Sequence, residues 1–231
     1  MPDILRDSKI WAGGYDISGD LNSVTGMAGV EEKDGTAFGH LARGYLPGLQ
    51  TANIEAAGYW RLALDAVLQP FGLQDEAVTI APLTGAAGER AFFVRATQGK
   101  YDIGGEVGEV YPFELSVRGK DTPLVRGTVF YNATGVTASG NGTAYQLGTV
   151  ATGQTLYAAL HVLSASGSLD VTIERDSAEG FPSPLTTITF NNMSAIGSQL
   201  MVDTSEYSND WWRAEFTVSG TFDFVVVVGI I

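Results

Sequence analysis

Cysteine is absent from this 231-residue chain, and histidine occurs only twice, as His40 and His161. The lack of cysteine excludes disulfides, thiolate nucleophiles and cysteine-ligated metals, so the fold has to rest on packing and hydrogen bonds. A Ser-His-Asp catalytic group would need one of the two histidines, and neither lies in a nucleophile elbow. His161 stands in the alternating run YAALHVL and is predicted to be a packed strand residue, whereas His40 is predicted to be solvated in a loop.

Basic residues are also scarce. The chain has 13 Lys and Arg against 26 Asp and Glu, a formal net charge of −13, and only two of the basic residues follow Asn132. Proteins that grip nucleic acid need a basic patch to neutralise phosphates, so sequence-specific or tight DNA binding is not expected. An acidic surface would instead repel a nucleic acid that passes it.

Long apolar runs are missing too. The longest, Phe224 to Ile231, is too short to span a bilayer, and the N-terminal stretch MPDILRDSKIW lacks the basic and apolar regions of a signal peptide. We therefore expect a soluble protein that is made in a cytoplasm and has no membrane anchor.

Other chemical motifs are incomplete. The glycines from Gly104 to Gly108 lack the following Lys and Ser or Thr of a phosphate-binding loop, and Asp170 to Asp176 lacks the ligand spacing of a calcium loop. Carboxylate pairs such as Glu106 with Glu109 are interpreted as the solvated surface of an acidic protein. The sequence predicts no catalytic residue, no cofactor, no metal site and no enzymatic activity.

Glycine, by contrast, is abundant, at 29 residues, and occurs together with many Val, Thr, Tyr and Phe. This composition is typical of short strands joined by tight turns, so the chain is predicted to be mostly β. The composition changes at 133–143, ATGVTASGNGT, which is small, polar and uncharged and is predicted to be a linker. It divides the chain into an N-terminal β domain, 1–132, and a C-terminal domain, 144–231.

The N-terminal part predicts a β-sandwich or barrel with one short helix. A hairpin turns at Gly13-Gly14, an early strand runs to Glu32, and a long mixed-charge loop from Lys33 to Gly48 precedes an alternating strand; within the resemblance given below, the loop is counted from Glu31. A helix is predicted at 59–69, ended by Pro70. Further strands are predicted at 77–81, 90–97, 107–118 and 124–132, with turns at Gly99-Lys100-Tyr101 and Gly104-Gly105.

The C-terminal part predicts an antiparallel β-sandwich of jelly-roll or immunoglobulin-like type. Its predicted strands are 145–150, 155–163, 169–174, 186–190, 198–202, 211–218 and 221–228. The last of these is apolar at almost every position, as expected for a central strand covered on both faces.

Trp211-Trp212 is the sharpest aromatic feature. Consecutive strand residues face opposite sides of a sheet, so one of the two indoles is expected to point outward. An exposed Trp could stack on a sugar or fill a partner's pocket, and the alternative is that both are buried.

The order of these parts resembles the major tail tube proteins of long-tailed, siphovirus-like bacteriophages. The resemblance rests on YDIS at Tyr15–Ser18, TAFG followed by LPGL within 36–49, and Gly58-Tyr59-Trp60 before the helix. The second half resembles the extra C-terminal β domain that some of these proteins carry.

The resemblance implies a structural virion protein that self-assembles into stacked hexameric rings. These rings would form the tail tube through which DNA passes without specific binding, alongside other tail proteins. It implies an assembly role for residues of the long loop: Glu31, Glu32, Lys33, Asp34, Phe38, His40, Arg43, Tyr45 and Leu46. The alternatives are a capsid decoration or minor tail protein, or a carbohydrate-binding module that holds glycans through Trp211 or Trp212.

Overall fold

The computed structural model describes residues 7–34, 45–69 and 72–231, with the backbone but not the side chains given at 45–47. The described strands are β1 (Lys9–Ala12), β2 (Tyr15–Asp16), β3 (Leu21–Asp34), β4 (Tyr45–Tyr59), β5 (Glu76–Ala81), β6 (Arg90–Ile103), β7 (Pro112–Gly119), β8 (Val125–Val136), β9 (Gly140–Asn141), β10 (Tyr145–Gln146), β11 (Leu156–Asp176), β12 (Leu185–Thr189), β13 (Gly197–Asp203) and β14 (Trp211–Ile230). The helix α1 spans Leu62–Leu68. The prediction of a mostly β chain is confirmed, and the predicted short helix is present as α1.

All fourteen strands belong to one continuous antiparallel hydrogen-bonded sheet. Its main path runs β12-β11-β14-β8-β6-β5-β1-β2, and a branch leads from β6 through β7 and β4 to β3. β9, β10 and β13 attach at the sides of β14 and β11. In the parts of the chain that the structure describes, no helix is long and apolar enough to cross a membrane.

The core of the first half lies between β1 and β5 on one side and β4, β6 and β7 on the other. Alternate side chains of these strands point into it because successive strand residues face opposite sides of the sheet. The helix α1 packs against this core through Leu64 and Leu68, both of which are buried. The indole of Trp60 donates a hydrogen bond to Asp65 Oδ1 over 3.0 Å and so ties the strand before α1 to its first turn. The predicted helix at 59–69 is therefore confirmed but begins later, because Tyr59 pairs with Pro112 as the last residue of β4.

The C-terminal half is built on a long ribbon of two strands. β11 and β14 pair along almost their whole lengths, so each replaces two of the predicted strands. Gly167 and Gly220, which lie in the gaps between those predicted strands, face each other inside this ribbon with φ of 116° and 121°. A Cβ at either glycine would overlap a carbonyl oxygen of the opposite strand, so these positions need glycine. The prediction that the apolar C-terminal strand is central is confirmed, since β14 lies between β11 and β8.

Two predicted boundaries in the first half differ from the structure. β6 continues through Gly99 to Ile103 with a register shift beside Lys100, so the predicted turn at Gly99-Lys100-Tyr101 is wrong. A bulge accommodates the glycine without ending the strand. The strand predicted at 107–118 begins only at Pro112, as its first residue, where a missing backbone N–H is tolerated.

The two halves are connected through both the sheet and a shared core. β8 runs to Val136, so the first residues of the predicted linker are strand and pair with β14. A third apolar cluster contains Trp11 and Phe93 from the first half together with Val225 and Val227 from the second. The division into 1–132 and 144–231 stays a prediction, and β8 spans the predicted boundary.

Candidate functional site

One part of the sheet has two open edges. β3, β4, β7 and the distal part of β6 pair side by side, each antiparallel to the next. Among the described residues, no strand pairs with β3 on the side away from β4, or with 99–103 of β6 on the side away from β7. We call these four strands the open sheet. Since direction alternates from strand to strand, its two outer strands run in opposite directions.

The inner face of the open sheet belongs to the first core. Ile54 of β4 and Leu115 of β7 are buried there, with exposed fractions of 2% and 4%. Their sequence neighbours face the opposite way and leave the core. The outer face of the open sheet is therefore set by the residues that alternate with the core positions.

That outer face is polar and carries both signs of charge. Cross-strand pairing places Thr25, Glu55, Ser116 and Lys100 in one row across the four strands. Neighbouring rows add Asp102 and Glu114, which form ion pairs with Lys100 at 2.7 and 2.9 Å, and Arg118. The hydrogen bonds that Lys100 donates to Asp102 and Glu114 raise the pKa of Lys100 above its usual value. Among the described residues, no group of three or more His, Asp or Glu side chains is placed to hold a metal ion.

The β3–β4 hairpin extends beyond the rest of the open sheet. β7 pairs with β4 only from Asn53 to Tyr59, so the remainder of the hairpin, 28–34 with 45–52, is a two-stranded ribbon. We call this ribbon the arm. It exposes Val30 and Leu49, the latter at 78%. A free two-stranded ribbon is marginally stable in water, and an exposed edge is a template for pairing with another chain.

The predicted assembly loop therefore begins and ends as strand. Glu31, Glu32, Lys33 and Asp34 belong to β3 and are exposed; Tyr45 and Leu46 belong to β4. The prediction of a loop over Glu31 to Gly48 is wrong at both ends, because side chains at 28–34 and 48–51 are exposed and show none of the apolar alternation that marks a half-buried strand. Phe38, His40 and Arg43 lie outside the described residues.

The charges of the arm interact locally. Lys33 Nζ lies 2.8 Å from Glu31 Oε2. This hydrogen bond lowers the pKa of Glu31 and raises that of Lys33. Both side chains are well exposed, so the pair contributes little to stability.

At the opposite end of the open sheet lies an apolar surface that the sequence reading missed. We call it the end patch; its members are Tyr59, Leu62, Ile103, Val107, Val110 and Tyr111, each at least half exposed. The sequence signal was present in IGGEVGEVYP, where apolar residues alternate with Gly and Glu in a segment that has no core to cover. An exposed apolar group of this kind is typical of an interaction surface.

The paired tryptophans differ in exposure, as strand geometry predicts. Trp212 is fully buried, and its indole N–H donates to the Gly148 carbonyl over 2.8 Å. Trp211 on the other face is half-buried. Only Trp211 is therefore placed to meet a ligand at the surface.

His161 is a structural residue inside the junction of the two halves. It is fully buried in β11, with Nε2 2.7 Å from Thr79 Oγ1 and Nδ1 2.8 Å from the Gly13 carbonyl oxygen. The carbonyl can only accept, so Nδ1 carries the proton and Nε2 accepts from the threonine hydroxyl. Burial lowers the pKa of His161 to about 4. The prediction of a packed strand histidine is confirmed, and its partners do not include the carboxylate that a catalytic triad requires.

Comparison with known proteins gives weak likenesses only. No family model and no curated protein matches the chain. Among solved structures, a chain of the virion of a native gene transfer agent particle aligns with a TM-score of 0.42 and 16% identity, over 53% of this chain and 98% of that one. The Dit protein of phage SPP1, described as a paradigm of the hub adsorption apparatus in phages infecting Gram-positive bacteria, aligns with a TM-score of 0.42 and 12% identity, over 98% and 100%. A chain of the sheath-tube complex of the extracellular contractile injection system PVC aligns with a TM-score of 0.40 and 15% identity, over 55% and 93%. Likenesses at this level do not establish a family.

Proposed function

We propose that this chain is a structural subunit of a bacteriophage tail, and that it assembles into stacked hexameric rings that form the tail tube. The observation that carries the proposal is the open sheet. Its outer strands, β3 and β6, run in opposite directions. When copies are arranged around a rotation axis, β3 of one copy therefore meets β6 of the next as an antiparallel pair, like every other pair in the sheet.

The dimensions of such a ring suit a DNA channel. Six open sheets give a barrel of twenty-four strands. With about 4.8 Å between strands and a tilt of about 40°, the backbone diameter is roughly 48 Å. Side chains reach about 5 Å inward from each wall, which leaves roughly 38 Å for a duplex to pass.

The chemistry of the outer face is consistent with a channel wall. Its side chains are polar, and Lys100 is paired with Asp102 and Glu114, so the face gives DNA neither an apolar surface to stack on nor a basic patch to bind. Glu55, Asp102 and Glu114 outnumber Lys100 and Arg118 across the described part of this face. A slight excess of carboxylates repels phosphates and lets the duplex slide.

The C-terminal half is then assigned to the outside of the tube. The outward side of β1 and β5 is covered by that half, through the cluster that joins Trp11 and Ala77 with Leu200 and Val225. The open sheet lies across the first core from this covered side. A ring with the open sheet facing the channel therefore carries the C-terminal half at its periphery.

Electron microscopy and native mass spectrometry of the purified chain test the proposal. We expect ring-shaped particles of six copies with a central channel, and tubes at higher concentration. A chain that stays monomeric at every concentration contradicts the proposal.

Proline substitution tests the open edge itself. Adjacent residues of an edge strand direct their N–H groups alternately toward and away from the neighbouring strand, so one of Val24→Pro and Thr25→Pro keeps the β3–β4 pairing. Thermal unfolding identifies which of the two variants keeps the wild-type fold, and we expect that variant to form no rings. Thr186→Pro in β12, another edge strand, is the matched control and should assemble normally if it folds. Normal rings from both Val24→Pro and Thr25→Pro would contradict edge pairing through β3.

A further inference from the structure

Most of the described basic side chains already have a partner within the chain. Those in ion pairs with carboxylates are Lys9, Lys33, Arg61, Lys100, Lys120 and Arg213. Arg95 donates to the Leu200 carbonyl, and Arg175 lies over the Tyr207 ring. Among the described residues, this leaves Arg90, Arg118 and Arg126 without an ion pair.

Two of these unpaired cations lie side by side, and we call them the arginine pair. Arg90 begins β6 and pairs with Thr128 of β8, while Arg126 of β8 pairs with Phe92. Paired residues share a face of the sheet and side chains alternate along each strand, so both arginines project from one face, next to the half-buried Phe92. Diagonal neighbours on adjacent strands are about 7–8 Å apart, which two long side chains can span.

This arrangement suits an acidic partner. Both arginines are exposed, and two like charges held this close repel each other unless an anion compensates them. A guanidinium can bind a carboxylate through two parallel hydrogen bonds, which adds both strength and directional specificity. A partner that fits the arginine pair therefore brings two carboxylates, together with an apolar group to contact Phe92.

The end patch carries these groups. Glu106 and Glu109 lie in the connection between β6 and β7, where the Glu109 N–H donates to the Glu106 carbonyl over 3.2 Å and so holds them in one tight turn. Both are exposed, and within the described part of the chain neither forms an ion pair. Val107 and Val110, which are also exposed, supply the apolar surface beside them.

The arginine pair and the end patch belong to opposite ends of one strand. β6 begins at Arg90 and ends at Ile103, within the end patch. Fourteen residues of antiparallel strand span roughly 40 Å, so the two surfaces of one copy do not meet. In the proposed ring, barrel strands tilted by about 40° run from one rim to the other, so the two surfaces face opposite neighbours in a stack.

We propose that Arg90 and Arg126 of one copy bind Glu106 and Glu109 of a copy in the next ring. This inference rests on the proposed tube, and it names an ionic contact between successive rings. A contact between two different surfaces of the same chain repeats without limit, as a stack of rings requires. Because its charges lie at the surface, added salt weakens it.

Charge reversal tests this contact. Arg90→Glu with Arg126→Glu brings carboxylates against carboxylates, and Glu106→Arg with Glu109→Arg brings cations against cations. We expect each double variant to form rings, since the β3 edge and 99–103 of β6 are unchanged, but to need at least about tenfold more protein to form tubes. The variant with all four reversals restores opposite charges and should form tubes at the wild-type concentration. Sedimentation and electron microscopy measure rings and tubes.

The matched control is Glu179→Arg with Glu206→Arg. It changes the net charge as much as the Glu106 and Glu109 reversal does, at two exposed residues of the second half, and should form tubes as the wild type does. All the substituted residues are exposed, so thermal unfolding should match the wild type. If the arginine reversal lowers the unfolding temperature, Arg90→Gln with Arg126→Gln takes its place and should still raise the concentration needed for tubes.

The outcomes separate this inference from the proposed function. Wild-type tube formation by either folded double variant would overturn the inference and leave the tube proposal standing. Failure of the folded fourfold variant to restore tubes would also overturn it, as would loss of tubes in the Glu179 and Glu206 control. A wild-type chain that forms no rings would overturn both proposals.

Discussion

Acidification should destabilise this protein through a single buried histidine. The folded chain keeps His161 neutral between Thr79 and the Gly13 carbonyl, with a pKa of about 4 against the ordinary value of 6.5. Above pH 6.5 both the folded and unfolded states are neutral at this position, so stability does not depend on it. Between pH 6.5 and 4 the unfolded chain takes up a proton that the folded chain excludes, so the free energy of unfolding falls as the pH falls.

The size of the effect follows from the pKa difference. From 6.5 to about 4, at about 1.36 kcal/mol per pKa unit, the loss is about 3 kcal/mol by pH 4. For a chain of this length, that corresponds to a melting temperature lower by roughly 6–12 °C. Solvent screening does not reduce this figure, because the imidazole is fully buried.

The assay is urea unfolding at several pH values between 7 and 4, on the wild type and on His161→Gln. The glutamine amide can still donate to Gly13, but it does not titrate. We expect His161→Gln to be less stable at pH 7 and to lose most of the pH dependence between 6.5 and 4. Burial acts to raise the pKa of Asp203, but hydrogen bonds from Ser205 and Tyr207 lower it overall. Carboxylates of this kind change the free energy of unfolding mainly below pH 4, and they do so equally in both proteins. Equal slopes for the two proteins would refute the reasoning.

Three further predictions concern the ribbon, a buried ion pair and the arm. Gly167→Ala should destabilise the chain by about 2 kcal/mol or more because of its positive φ and lack of space, whereas Gly180→Ala, with open space around it, should change the melting temperature little. Glu174 and Arg213 are largely buried and 2.8 Å apart, so a double-mutant cycle to alanine should give a coupling of about 1–2 kcal/mol, and zero coupling would contradict their pairing. Replacing residues 35–44 by Asn-Gly should close the hairpin with a two-residue turn and leave a folded subunit that forms no tubes, as seen by circular dichroism and electron microscopy; tubes of normal length would contradict a role in assembly.

Sequence reasoning succeeded where one face of an element is buried. The hairpin at Gly13-Gly14 and the helix before Pro70 carry local turn and stop signals, and both were predicted close to their observed positions. The central position of β14 followed from its apolar composition, because only a strand covered on both faces can keep such a run from water. His161 was placed in a packed strand by its alternating neighbours.

The sequence could not indicate where pairing continues without burial. The middle of the β11–β14 ribbon is exposed, so its glycines have the same composition as a turn, and only the facing positions of Gly167 and Gly220 show that the strands continue. The side chains of the arm at 28–34 and 48–51 are also exposed, so their sequence carries no apolar alternation either. Lys100 and Glu114 meet on the outer face because β6 pairs with β7. They are too far apart in the sequence for a local pattern to predict this contact.

The route of β14 also sets the order in which a newly made chain can fold. β8 is synthesised well before β14, yet β14 supplies Val225 and Val227 to the cluster that covers Trp11 and Phe93. Until β14 leaves the ribosome, that side of the first half stays exposed, and long-range pairing of this kind forms slowly. Chains cut short before β14 would therefore expose this apolar side and be left to chaperones and proteases.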